Sequence, residues 1–188
     1  MIILGTDPGF AFFGYALLEV GPESERVIAA GVIETKKSSK KTNTLAADDD
    51  TARTLEVAAV LSSLIETYRP ILICSEAMSW PRNSSAARKV ALAWGALIAL
   101  AGDRQIPINQ VSPQNLKQAV VGSPTAAKSE VEAAMLSRWP EIGGYLDKVK
   151  LAESKRNHAY DAAGAAYACL SSDLVRTLRN IQRQVKEI

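Results

Sequence analysis

A chain of 188 residues, 47% hydrophobic and 22% charged, has the apolar content for a sizeable core and excludes a disordered polymer. A net charge of +2 excludes a uniformly basic surface, so any basic face must be local. Cys74 and Cys169 sit in apolar segments without ligand spacing and read as buried thiols of a reducing, cytoplasmic compartment. No signal peptide is visible, and "ALAWGALIALAG" reads as too short for a membrane span.

In chain order, "MIILGTD", "FFGYALLEV" and "RVIAAGVIET" are apolar and β-branched, with turn signals at Pro8-Gly9 and Gly21-Pro22. They predict three strands in an antiparallel meander. The polar run "KKSSKKTNTLAADDD", residues 36–50, reads as a solvated loop; a loop facing nucleic acid is the second reading, weakened by its aspartates. Residues 51–68 predict a helix that offers Leu55, Ala58, Ala59, Leu61, Ile65 and Tyr68 for burial and ends at Pro70. Ile71 to Cys74 predict a buried strand, followed by a helix over residues 84–101 and a short strand at "IPINQV". Ser112-Pro113 and Ser123-Pro124 each read as an N-cap followed by proline at the first helical position. The helices they start carry Lys117 and Lys128.

Two strands end on a carboxylate: Asp7 closes the first and Glu76 the fourth. A favoured Asp-Pro-Gly turn accounts for Asp7 alone, but not for the repetition. A third acid, Asp161, stands three residues after His158, the only histidine, at the start of an alanine-rich segment, "NHAYDAAGAAYACL". That spacing puts both on one helical face. Acids on packed elements cost several kcal/mol unless a partner or a metal compensates. Three carboxylates and one imidazole can hold two Mg²⁺ or Mn²⁺ ions roughly 3.5–4 Å apart, one activating water and the other stabilising a leaving oxygen. His158 reads equally as a ligand or as a general base.

Together, "LGTDPGFAFFGYALLE", "ICSEAM", "NLKQAVVGSPTAAKSEVEAAM" and "NHAYDAAGAAYA" resemble the RuvC family of Holliday junction resolvases, in that family's order and over residues 1–171. The resemblance implies an α/β, RNase H-like fold: a five-stranded mixed sheet flanked by helices, with three antiparallel strands first and parallel strands after. It implies a homodimer that cuts four-way DNA junctions by paired nicks, leaving 5′-phosphate and 3′-hydroxyl ends. Asp7, Glu76 and Asp161 match the family's three metal-binding acids, and His158 matches a fourth position. Lys117 and Lys128 match its two lysines for catalysis and phosphate contact. "DPG" after a strand also suits actin-like and sugar-kinase phosphotransferases, but 188 residues leave little room for a second lobe, so no nucleotide cofactor is expected.

After its second acid the family carries an aromatic residue that enters the junction centre; here Ser79 stands at that place and Trp80 one step later. Trp80 reads as a stacking residue, with Arg82 and Arg88 for phosphate, or as a tryptophan packed on the adjacent helix. The helix over residues 84–101 carries more apolar surface than one sheet face needs, consistent with a two-fold partner. Residues 172–188 form an amphipathic extension, with Leu174, Leu178, Ile181 and Val185 on one face and Arg176, Arg179, Arg183 and Lys186 roughly opposite. It reads as an apolar face docked on the body, as a dimer contact, or as a DNA-binding stripe.

Overall fold

The structure, a computed structural model, describes residues 1–39, 44–78 and 83–186, and of residues 185–186 the backbone alone. The readings on Ser79, Trp80 and Arg82, on the side chains of Val185 and Lys186, and on part of the 36–50 loop lie outside the described residues.

Five strands form one sheet: β1 (Ile2–Asp7), β2 (Phe12–Val20), β3 (Glu25–Glu34), β4 (Leu72–Glu76) and β5 (Ile108–Val111), in the order β3-β2-β1-β4-β5. β1, β2 and β3 pair antiparallel, whereas β4 pairs parallel with β1, and β5 parallel with β4. This is the mixed sheet that the RuvC resemblance implies. The parallel half needs crossovers, and helices supply them. α1 (Ala46–Tyr68) links β3 to β4, and α2 (Ser84–Asp103) links β4 to β5. Then follow α3 (Pro113–Val121), α4 (Lys128–Arg138), α5 (Glu141–Lys148), α6 (Glu153–Cys169) and α7 (Asp173–Lys186).

Strand alternation divides the core into two layers. Leu4, Phe13, Leu17 and Ile73 face α1 and α2, meeting Val57, Leu61, Ile65, Trp94 and Leu97. Ile3, Ala16, Leu72 and Cys74 face α6 on the other side. α6 is pressed closely to the sheet. A Cβ at Gly5 would fall on the Ala162 carbonyl and crowd the Ala166 methyl, and one at Gly14 would fall on the His158 carbonyl. Glycines on the strands and alanines on the helix together bring backbone against backbone, and Ala162, Ala163, Ala165 and Ala166 are fully buried. Cys74 and Cys169 are free and buried, as expected.

Several local readings are corrected. α1 begins at Ala46, so the aspartate triplet is helix rather than loop. Acids suit a helix N-terminus, and remote partners hold two of these. The Ser38 amide donates to Asp49 at 2.7 Å, and Arg88 pairs with Asp50 at 2.6 Å. Arg53 lies 3.8 Å from Asp49, donates to Thr35 Oγ1 at 3.0 Å and covers the Phe10 ring. Leu55, read as core, is 64% exposed, because the buried stripe runs through Arg53, Val57, Leu61 and Ile65. Ser112 caps α3 as predicted, accepting from the Asn115 amide. Ser123-Pro124 instead makes a turn closed by Ala126 N–H to Ser123 O, and α4 starts at Lys128.

α2 is long and apolar enough, by length and composition alone, to cross a membrane, contrary to the sequence reading. Its Ala93, Trp94, Leu97 and Ala101 are buried in the sheet layer. α7 also reverses an expectation. Arg179 turns inward to Glu25 at 2.8 Å and Arg183 pairs with Glu23 at the surface at 2.8 Å, while Leu174 and Ile181 are exposed. Glutamates at the β2–β3 turn draw in the basic face, and Val175 is the fully buried apolar anchor.

Candidate active site

Asp7 and Glu76 end adjacent parallel strands, because residues 3–6 of β1 pair with residues 72–75 of β4. Each is thus delivered to the same end of the sheet by a rigid strand. Asp7 stands opposite Gly14 in the β1–β2 ladder, and α6 lies over that glycine at His158. The consequence is a direct contact: His158 Nδ1 lies 2.7 Å from Asp7 Oδ2. The tautomer that donates Nδ1–H to the carboxylate leaves Nε2 as the acceptor. Asp161, nearly one turn further along α6, is buried and meets Lys128 Nζ at 3.4 Å. Lys128 is the first residue of α4, so the late helix start places its ammonium here.

The electrostatics tie the group together. Burial, then the charges of Asp7 and Asp161, push the Glu76 carboxyl up to about 7, against the opposing pull of Lys128 and Lys117. Burial also raises Asp161, with Lys128 opposing and Asp7 adding to the rise. Lys128 loses some basicity to burial but gains more from Asp161, Asp7 and Glu76, so its ammonium is held above the usual range. Asp7, Glu76, His158, Asp161, Lys117 and Lys128, singled out in the sequence, therefore form one interacting cluster. Arg88 is drawn instead to Asp50, bridging α1 and α2 with its side chain 54% exposed.

A cleft of about 170 Å³ opens beside Asp7, Pro8, Gly9 and Glu76, walled on the α2 side by Val90 and Trp94. A larger cavity of about 720 Å³, between the β2–β3 turn and α7, holds none of these residues. Among the described residues no group of three or more Asp, Glu, His or Cys is gathered closely enough to hold an ion as it stands. The donor chemistry nonetheless fits a hard divalent cation. Three mutually repelling carboxylates with an imidazole beside them are an oxygen-rich set, and Glu76 resists ionising because of its burial and the charges of Asp7 and Asp161.

Sequence reading missed two neighbours of the site. Phe12, at the start of β2, stacks on His158, and Lys155, one turn before it on α6, stands over Phe12. The three-residue spacing of Lys155 and His158 was the available signal.

Residues 3–143 match the family described as Crossover junction endodeoxyribonuclease RuvC. A relative of that description from Pseudothermotoga lettingae is 35% identical over 133 residues, 70% of this chain and 76% of its own. Another from Cytophaga hutchinsonii is 35% identical over 149 residues, 78% of this chain and 70% of its own. RuvC of T. thermophilus, solved in complex with a Holliday junction substrate, superposes with a TM-score of 0.71 at 23% identity over 97% of each chain, which shows the shared RNase H-like fold. The family match stops before α6, so His158 and Asp161 are tied to the site by their contacts with Asp7 and Lys128. With three quarters of its length matched, the chain belongs to the RuvC family of crossover junction endodeoxyribonucleases, a family of enzymes.

Proposed function

We propose that this chain is a divalent-metal-dependent endonuclease that resolves four-way DNA junctions by paired nicks. The observation that carries the reading is the convergence of Asp7, Glu76, Asp161 and His158 with two lysines at one end of the sheet. In this reading the three acids would hold Mg²⁺ or Mn²⁺, two ions per site, which would supply an activated water and charge stabilisation at phosphorus. Lys117 and Lys128 bind the scissile phosphate and offset its charge. Asp7 fixes the His158 ring through Nδ1, so that Nε2 is available to take the proton of the attacking water. Water adds to phosphorus, the P–O3′ bond breaks, and O3′ takes a proton, giving 5′-phosphate and 3′-hydroxyl ends.

A four-way junction presents two equivalent strands, and a homodimer matches that symmetry. The 52% exposed Ile98 on α2, beside buried Leu97, supports α2 as part of the pairing surface. The segment carrying Ser79, Trp80 and Arg82 follows Glu76 closely in the chain, and we assign it to the junction centre.

Labelled four-way junction, Y-fork and linear duplex, each with Mg²⁺, Mn²⁺ or EDTA, test this beside Asp7→Asn. The expected result is paired, symmetric, metal-dependent nicking of the junction, reduced more than about 100-fold in the variant. Equal cutting of the fork would make the chain a broader branch nuclease. Tight binding without cutting under any ion would overturn the enzymatic reading.

A further inference from the structure

The His158 imidazole is bounded on more sides than the catalytic reading uses. Asp7 Oδ2 meets Nδ1 at 2.7 Å, and the backbone beneath it is seated on Gly14. The Phe12 ring lies against one face, with centroids 5.7 Å apart and planes 17° from parallel. Lys155 Nζ stands 3.9 Å from the centroid of that same Phe12 ring. Phe12 reaches this place because it precedes Gly14 by two on β2, which puts both on the α6 side of the sheet. Lys155 reaches it because three residues along α6 is one turn.

A ring tethered through a single nitrogen still rocks about its Cβ–Cγ bond, a broad torsion, and the opposite nitrogen sweeps an arc. Stacking restricts that rocking, since near-parallel aromatic contacts have a preferred geometry. A cation over the Phe12 ring adds attraction that holds the phenyl in register. We propose that Phe12 is a positioning residue that sets the direction of His158 Nε2, with Lys155 holding the Phe12 ring in place. This rests on the nuclease reading of the site. Supporting contacts of this kind typically change metal affinity or rate 10–100-fold when removed, and about 1 Å of misplacement is worth about 10²-fold.

Because the chain has one histidine, its ring signals in an NMR spectrum belong to His158 without ambiguity. The experiment compares wild type, Phe12→Leu, Phe12→Tyr and Lys155→Met by those signals at fixed pH, and by single-turnover cleavage of a four-way junction at saturating and limiting enzyme. In Phe12→Leu the ring-current displacement of the His158 protons is expected to vanish. The saturating rate should fall about 10–100-fold with half-saturation unchanged. Phe12→Tyr should restore both, and Lys155→Met should lie between. Should Phe12→Leu fail to fold, Lys155→Met and Phe12→Tyr still decide the matter. Unmoved His158 signals, an unchanged rate, or a change confined to half-saturation overturns the stack while leaving the nuclease reading intact. A wild-type chain that never cuts overturns the nuclease reading, and the catalytic role of the stack with it.

Discussion

Gly14 lies directly opposite Asp7 in the β1–β2 ladder, and the space its Cβ would need is taken by the His158 carbonyl. One missing methyl therefore sets the distance between the strand that carries an acid and the helix that carries its imidazole partner.

Gly14→Ala should push α6 off the sheet. Overpacking of this kind costs about 3 kcal/mol, and the obstructing atom is backbone, which cannot rotate aside. Urea denaturation should show that loss, and junction cleavage should fall more than stability alone requires. An alanine variant as stable as the parent would show that α6 can shift freely.

Glu76→Gln should stabilise the metal-free protein in alkaline solution. At pH below about 4.5 the carboxyl is neutral in folded and unfolded chains alike, so the variant gains nothing. Between pH 4.5 and about 7 the unfolded chain ionises first, and above about 7 the folded chain carries the full penalty. The gain should thus grow with pH to roughly 3 kcal/mol. Melts in EDTA at pH 4.5 and pH 8 measure it, and added Mg²⁺ or Mn²⁺ should shrink it, while the variant loses cleavage.

Lys117→Ala and Lys128→Ala should each flatten the salt dependence of junction binding by about one unit of log–log slope. Cleavage should fall about 10–100-fold in each. Equilibrium binding across a salt series checks the first effect. An unchanged slope would place that lysine away from phosphate.

Arg53→Ala should cost about 3 kcal/mol, as removing one member of a buried ion pair does. Arg53 and Asp49 are both almost fully buried, and Arg53 also holds Thr35, whose hydroxyl donates to the Phe10 carbonyl in the turn after Asp7. Thermal melts at neutral pH read the loss.

The acids were legible because a charge that ends an apolar strand is anomalous wherever it occurs, and Asp7 and Glu76 share that anomaly. The antiparallel meander followed from strand runs and turn chemistry, and the five-stranded mixed sheet from the resemblance to the RuvC family. The start of α4 was not legible. Ser123-Pro124 carries the right residues for a cap, yet Ser123 Oγ is taken up with Thr125 Oγ1, and Glu130 serves the Ala127 amide instead. Asp49 and Asp50 looked solvated because their partners, Ser38, Arg53 and Arg88, come from other places in the chain. Phe12 read as an ordinary strand residue, since nothing local announces that α6 will lay an imidazole on it.

α7 is fastened by charge where a solvent-avoiding face was expected, and that changes what loosens it. Glu25 is opposed by its burial, but Arg138 and Arg179 outweigh this and hold its carboxyl below the usual range. Its grip is therefore present at neutral pH and fades as acid protonates Glu25. High salt weakens the more exposed Arg183–Glu23 pair in the same direction. Arg179 and Arg183 are engaged with carboxylates of their own chain, so a polyanion would have to compete for them. Acid or brine therefore weakens the charged part of this fastening and leaves Val175 as the apolar hold, which makes limited proteolysis after acidification the natural way to watch the helix loosen.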